Sequence, residues 1–187
     1  TPLKARLRAI LFGRVAAGSA GILAISLRGV DEYRGMGFKR DRVHHVAYYI
    51  DTSLFEKLHR RAKPTKEVRF LSCGQLITRK GFDLLIDAFA RVSKEFPQGS
   101  LRIVGTGPMR EPLVRRAIVH GLRDRVKFEG DVPYASRDEI YADADVFVLA
   151  TRNDVWGMVV PEALAAGLPV ISTTACGAAW DLIVQEE

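Results

Sequence analysis

The stretch Val68-Arg69-Phe70-Leu71-Ser72-Cys73-Gly74-Gln75-Leu76-Ile77-Thr78-Arg79-Lys80-Gly81 passes from a short apolar run into a glycine-bearing loop and then into a helical pattern. A βαβ unit opens this way. The alternation continues along the chain, with strands expected at 68–73, 101–104, 126–128, 145–149 and 169–172. Helices are expected between and after them at 80–96, 110–120, 136–142, 161–166 and 178–184. Strands of near-continuous apolarity call for burial on both faces, so helices should cover both sides of one sheet. The fold class is therefore α/β, a doubly wound, Rossmann-like parallel sheet.

Before Val68 the pattern is less regular. A basic amphipathic helix is expected at 3–17, with apolar runs at 21–26 and 43–50, and we read residues 1–66 as the close of a preceding domain plus a charged linker at 57–66 containing Pro64. Residues 67–187 form the second domain. Thr1 stands where a Met would be expected, and the last helix runs into Gln185-Glu186-Glu187 with no further strand, so both ends read as truncated.

The 187 residues are 48% hydrophobic and 27% charged, the balance of a globular chain and not of a disordered one. Their net charge of +6 is uneven: residues 1–66 hold 14 basic and 5 acidic residues, a net +9, against −3 for the remainder. A basic front of that kind attracts anionic surfaces or substrates, although clusters such as Lys39-Arg40-Asp41-Arg42 and Arg60-Arg61-Ala62-Lys63 also read as solvated faces. The cations lack interleaved aromatics, so no nucleic acid partner is expected. No run reaches the roughly 20 apolar residues of a membrane span. Cys73 and Cys176 lack the spacing of a disulfide framework or zinc site, which points to a reducing, cytoplasmic setting.

Two stretches can carry chemistry. In the first, Gly74 to Gly81, a loop leaves a strand and enters a helix, and such a loop offers backbone N–H groups to an anion at the carboxyl edge of the sheet. Cations in the first turn of a helix oppose its dipole, so Arg79 and Lys80 read as ligand groups, with a phosphate-bearing molecule as the expected ligand. The loop is not a Walker A sequence, and Val104-Gly105-Thr106-Gly107-Pro108 is not a dinucleotide fingerprint. The second stretch, Asn153 to Gly167, brings Asp154 and Gly157 to Pro161 and Glu162 at a helix start. A carboxylate there is stabilised as an anion and can accept hydrogen bonds from sugar or ribose hydroxyls.

Taken in order, Gly74…Lys80-Gly81, Val104-Gly105-Thr106-Gly107-Pro108, Val126-Lys127-Phe128-Glu129-Gly130, Ala144-Asp145-Val146-Phe147-Val148-Leu149 and Asp154…Glu162-Ala163-Leu164-Ala165-Ala166-Gly167-Leu168-Pro169-Val170-Ile171 resemble family 4 glycosyltransferases. The resemblance is close over 68–187 and looser over 20–55. It implies a GT-B architecture in which residues 67–187 are the C-terminal, donor-binding domain, with the acceptor held mainly by the preceding one. It further implies catalytic roles for Lys80 on the donor diphosphate, Glu162 on the ribose and Asp154 on the transferred sugar. Gly74, Gln75, Arg79, Gly157, Met158 and Val159 would complete the donor site.

The implied reaction is metal-independent and configuration-retaining, needing no cofactor beyond a UDP- or GDP-linked sugar substrate. Its partners would be that donor and a carbohydrate or lipid-linked acceptor hydroxyl, met in the cytoplasm or at the inner face of a membrane. A fragment carrying only the donor site would bind without turnover. Two residues depart from the family pattern, Asp154 where Glu is usual and Gln75 where Arg is common, and Arg79 could replace the second charge. An epimerase of the same architecture and a non-catalytic interaction domain are the alternatives. His44, His45, His59, His120, Asp143, Asp145, Trp156, Trp180 and Asp181 are read as structural.

Overall fold

In the computed structural model, residues 7, 10–15, 18–56, 58, 67–133 and 136–183 are described. Seven strands and seven helices are used below: β1 (Ile22–Ala24), α1 (Leu27–Gly35), β2 (Val43–His45), α2 (Ser53–Glu56), β3 (Val68–Cys73), α3 (Phe82–Glu95), β4 (Gly99–Val104), α4 (Arg110–Val119), β5 (Val126–Gly130), α5 (Arg137–Ala142), β6 (Val146–Leu149), α6 (Val159–Ala165), β7 (Val170–Ser172) and α7 (Gly177–Leu182).

Strands β3 to β7 form one sheet in the order β5-β4-β3-β6-β7, every pair parallel. Side chains of the central strands enter two different cores. Leu71, Cys73, Phe147 and Leu149 pack with Ile140, Tyr141, Val160, Ala163 and Ala178 from α5, α6 and α7. Leu101 and Ile103 pack with Phe82, Leu85, Ile86 and Phe89 of α3 and Leu113 and Ala117 of α4, with Phe70 and Val148 against them. The sheet is thus covered on both faces, as its apolar strands require. On α3 the buried positions recur at helical spacing, so one stripe faces the sheet.

The strands lie where the sequence places them, within two residues at each end. One expectation is corrected. The pattern puts Arg79 and Lys80 in the first turn of the helix, whereas α3 begins at Phe82 and the two cations occupy a separate 3-10 turn, Thr78–Lys80. Gly81 breaks the helix with φ +68°, and a Cβ on it would lie 1.9 Å from the carbonyl oxygen of Ala150. The chain turns left-handed there so that two loops can touch.

The front of the chain contributes a parallel pair, β1 and β2, with α1 between them and a small core of Ala24, Val30 and Val43. Ser26 caps α1 by accepting from the Gly29 N–H at 3.0 Å. This unit docks on α7: the Leu27 N–H donates to Asp181 at 3.0 Å, and His45 Nε2 lies 3.0 Å from the same carboxylate. Phe55 and Tyr48 pack edge-on against Tyr141 and Trp156. Of the expected first helix, residues 10–15 are helical and much of the remainder lies outside the described residues, as do 59–66 of the expected linker, including Arg60, Arg61, Lys63 and His59, and the last residues 184–187.

Candidate functional site

Chain order reverses between β3 and β6, which are neighbours in the sheet although β4 and β5 intervene in sequence. An open parallel sheet forms its ligand crevice at such a point, beyond the strands' carboxyl ends. Both stretches singled out in the sequence leave the sheet there, Gly74 to Gly81 after β3 and Ala150 to Met158 after β6. The loop after β4 closes the third side. It is tied to the first by the Leu76 N–H donating to Thr106 O at 2.8 Å and the Met109 N–H donating to Leu76 O at 2.9 Å.

The loops after β3 and β6 are joined around Arg79. Its carbonyl accepts from the Arg152 N–H at 2.8 Å and from the Thr151 hydroxyl at 3.0 Å, and its guanidinium donates to Asn153 O at 2.8 Å. Arg152 returns the contact by a bidentate pair to Asp83 on α3, at 2.7 and 2.6 Å. The Arg152 guanidinium holds the Asp83 carboxyl below the usual carboxylate range.

Inside this frame Lys80 Nζ donates to Asp154 Oδ2, and Arg79 Nη1 lies 3.7 Å from Oδ1. The Lys80 and Asp154 side chains keep 14% and 12% of their exposure, so the pair is poorly screened by water. The Asp154 backbone is fixed on both sides, its N–H donating to Ala175 O at 2.9 Å and its carbonyl accepting from the Gly177 N–H at 3.1 Å. Gly157 follows, buried with φ +90°, where a Cβ would sit 2.6 Å from Cys176 Sγ. Asp154 also lines a cleft of about 450 Å³ whose opposite wall is Ser26, Arg28, Glu32, Tyr33 and Met36 of the front unit.

Glu162 stands apart from these groups in its contacts. It is 3% exposed, in the first turn of α6, with Arg137 Nη1 donating to Oε1 at 2.6 Å and the Tyr141 hydroxyl to Oε2 at 2.8 Å. A carboxylate has about four lone-pair sites, and these two donors occupy one on each oxygen. Burial first, then the Glu162 charge, pushes the Cys73 thiol up to about 12. Burial likewise raises Tyr141 well above the ordinary tyrosine value, and it stays a neutral donor.

The structure therefore brings Arg79, Lys80 and Asp154 together and seats Glu162 in a separate buried pair. Gln75 is exposed, Gly74 and Val159 half-buried, and Met158 38% exposed at the head of α6. Arg137, Tyr141, Arg152 and Asp83 also belong to the site, and no sequence motif marks them. Their partners are 21 to 69 residues away in the chain, and a lone Arg in a polar stretch gives no signal of such a pairing. Among the other residues read as structural, Asp143 and Asp145 bind Arg69, the Trp180 indole donates to Thr174 O at 2.6 Å, and Trp156 is a buried loop anchor. Among the described residues no group of three His, Cys, Asp or Glu is arranged to hold a metal ion, and no helix is long and apolar enough to cross a membrane. Chemically, the site gathers two cations and converging loop backbones, groups that suit an anion, around the Asp154 carboxylate.

The family model described as "Glycosyl transferases group 1" matches residues 55–187. The chain is 34% identical over 152 residues to mannosylfructose-phosphate synthase of Agrobacterium fabrum (strain C58), covering 73% of this chain and 34% of the relative. It is 37% identical over 112 residues to the GDP-mannose-dependent alpha-(1-6)-phosphatidylinositol monomannoside mannosyltransferase of Mycolicibacterium smegmatis, covering 56% of this chain and 29% of the relative. The chain thus spans about a third of the length of these curated relatives. Among solved structures it is similar to the apo lipopolysaccharide outer core galactosyltransferase WaaB, with a TM-score of 0.76 at 20% identity over 89% of this chain and 46% of the other. It is also similar to HepE of Anabaena in complex with UDP and glucose, with a TM-score of 0.72 at 20% identity over 89% and 47%. At these identities the likeness is one of fold, and it is the GT-B, parallel α/β fold expected from the sequence.

Proposed function

This chain belongs to the glycosyl transferases group 1 family, and from that premise we propose that it is the donor-binding part of a configuration-retaining glycosyltransferase. Its donor is a nucleoside diphospho-sugar linked to UDP or GDP, and its acceptor is a hydroxyl on a carbohydrate or lipid-linked molecule. The observation that carries this reading is the convergence of Lys80 and Arg79 on Asp154 at the switch point of the sheet. The HepE structure holds UDP and glucose, and one relative is named for its dependence on GDP-mannose, which supports a donor of this class.

Residues 67–187 hold the donor, and residues 1–66 belong to the acceptor side. The cleft between Asp154 and α1 is where the acceptor hydroxyl approaches. That hydroxyl attacks the anomeric carbon from the face on which the diphosphate leaves. The bond from carbon to the phosphate oxygen breaks, the bond to the acceptor oxygen forms, and the hydroxyl proton passes to the departing phosphate. Negative charge grows on that leaving group, and Lys80 and Arg79 stabilise it, with no metal required. Glu162, oriented by Arg137 and Tyr141, uses its remaining lone pairs on the ribose hydroxyls. Exposed Leu7, Ile10, Leu11 and Val15 beside a net +9 front support peripheral contact with an anionic membrane on its cytoplasmic side.

Calorimetric titration of the 187-residue chain with UDP, GDP and ADP tests the donor site. One diphosphate binds, and Lys80→Ala weakens it by about 1.5 to 3 kcal/mol, the range for a hydrogen bond to a charged group. Absence of binding to all three by folded protein overturns the reading. Conversion of a free nucleotide-sugar without acceptor would indicate an epimerase instead.

A further inference from the structure

Lys80 is already occupied. Its ammonium donates to Asp154 Oδ2, and both side chains are largely withdrawn from water. Under the reading above, the ammonium is destined for the donor diphosphate and the carboxylate for the transferred sugar, so the two groups that should face a ligand face each other. We propose that Asp154 is the resident anion of the Lys80 site, which the donor diphosphate displaces as it binds, and that this exchange delivers the Asp154 carboxylate to the sugar.

Three features fit the exchange. First, the diphosphate and the carboxylate are both anionic and meet at a single ammonium. Seating the diphosphate there with Asp154 unmoved would bring like charges together in a weakly screened place, where their repulsion is large. Second, Arg79 does not relieve the competition. Its guanidinium is anchored on Asn153 O at 2.8 Å and is 3.7 Å from Asp154 Oδ1, so it serves the loop as well as the carboxylate. Third, hydrogen bonds hold the Asp154 main chain to Ala175 and Gly177, which leaves side-chain rotation as the available motion. Asp154 lines the cleft toward the front unit, so that rotation turns its carboxylate to where sugar and acceptor meet.

The inference rests on the donor-site reading and predicts opposite signs for the two partners of one ion pair. Titration of the 187-residue chain with the nucleoside diphosphate that it binds separates them. Lys80→Ala weakens binding. Asp154→Asn, close in shape and without charge, tightens it by about fivefold or more, since fivefold is the upper end for a well-exposed ion pair and this one is largely withdrawn from water. The double variant Lys80→Ala/Asp154→Asn binds no better than Lys80→Ala, because the gain depends on the freed ammonium. Asp154→Ser is the second variant should the Asn protein misfold, with thermal unfolding as the check on both. Unchanged or weaker binding by the folded Asp154 variants overturns the exchange while leaving the donor site intact, as does a gain that persists without Lys80. Failure of the unaltered chain to bind any nucleoside diphosphate overturns both.

Discussion

Gly81→Ala is expected to destabilise the protein by about 3 to 5 kcal/mol and to abolish measurable nucleoside diphosphate binding. Two costs add. A residue with a Cβ in the left-handed region loses roughly 1 to 2 kcal/mol. The larger cost is steric, because the new Cβ would lie 1.9 Å from the Ala150 carbonyl oxygen and 2.9 Å from its carbon. Both are backbone atoms that no rotamer change can move, so the loops after β3 and β6 must separate, at the upper end of overpacking penalties or beyond. Arg79 and Lys80 immediately precede this point and would be carried away from Asn153 and Asp154. Gly121→Ala is the matched control: φ is +70° there, but no atom lies within 4 Å of the added Cβ, so only the conformational cost of about 1 to 2 kcal/mol applies. Urea unfolding of the two variants checks this, and equal losses would show that the loop contact does not constrain the site.

Glu162→Ala should be the most damaging side-chain truncation in the site. It removes a carboxylate that is 3% exposed, leaves the buried Tyr141 hydroxyl without that acceptor and takes one acceptor from the Arg137 guanidinium. Breaking a buried pair typically costs about 3 to 5 kcal/mol. The Arg137 side chain keeps 35% exposure and can recover water, so about 2 to 4 kcal/mol is expected here. Glu162→Gln retains an acceptor for one donor and loses roughly half as much, which leaves folded protein for binding work. If Glu162 serves the ribose, Glu162→Gln weakens the nucleoside diphosphate about tenfold and leaves inorganic pyrophosphate, which has no ribose, unchanged. Equal weakening of both ligands would assign Glu162 to the frame alone.

These two positions also show what the sequence could and could not convey. The sheet is legible because each strand is a short run rich in β-branched and aromatic residues and α3 repeats its buried residues at helical spacing, information contained within a few residues. The chemical residues were legible for the same reason, since a glycine-bearing loop with two cations and a loop with two acids each lie in one short stretch. Their relations were not. Sequence periodicity starts α3 before Gly81, whereas Gly81 must accommodate Ala150, which arrives from the far side of the switch point. Glu162 looked like an open ligand group because Arg137 and Tyr141 come from the helix before β6. Lys80 and Asp154 were each recognisable, whereas the bond between them exists only once β3 and β6 are neighbours.

The most direct test of a donor site at the β3–β6 switch point is amide chemical-shift mapping of the isotope-labelled chain during titration with the nucleoside diphosphate. We predict that the largest shifts fall on 74–81, 105–107 and 153–159, with those on 78–81 much reduced in Lys80→Ala. Shifts confined to the outer faces of α3 and α4, or no shifts at all at saturating ligand, would contradict the assignment.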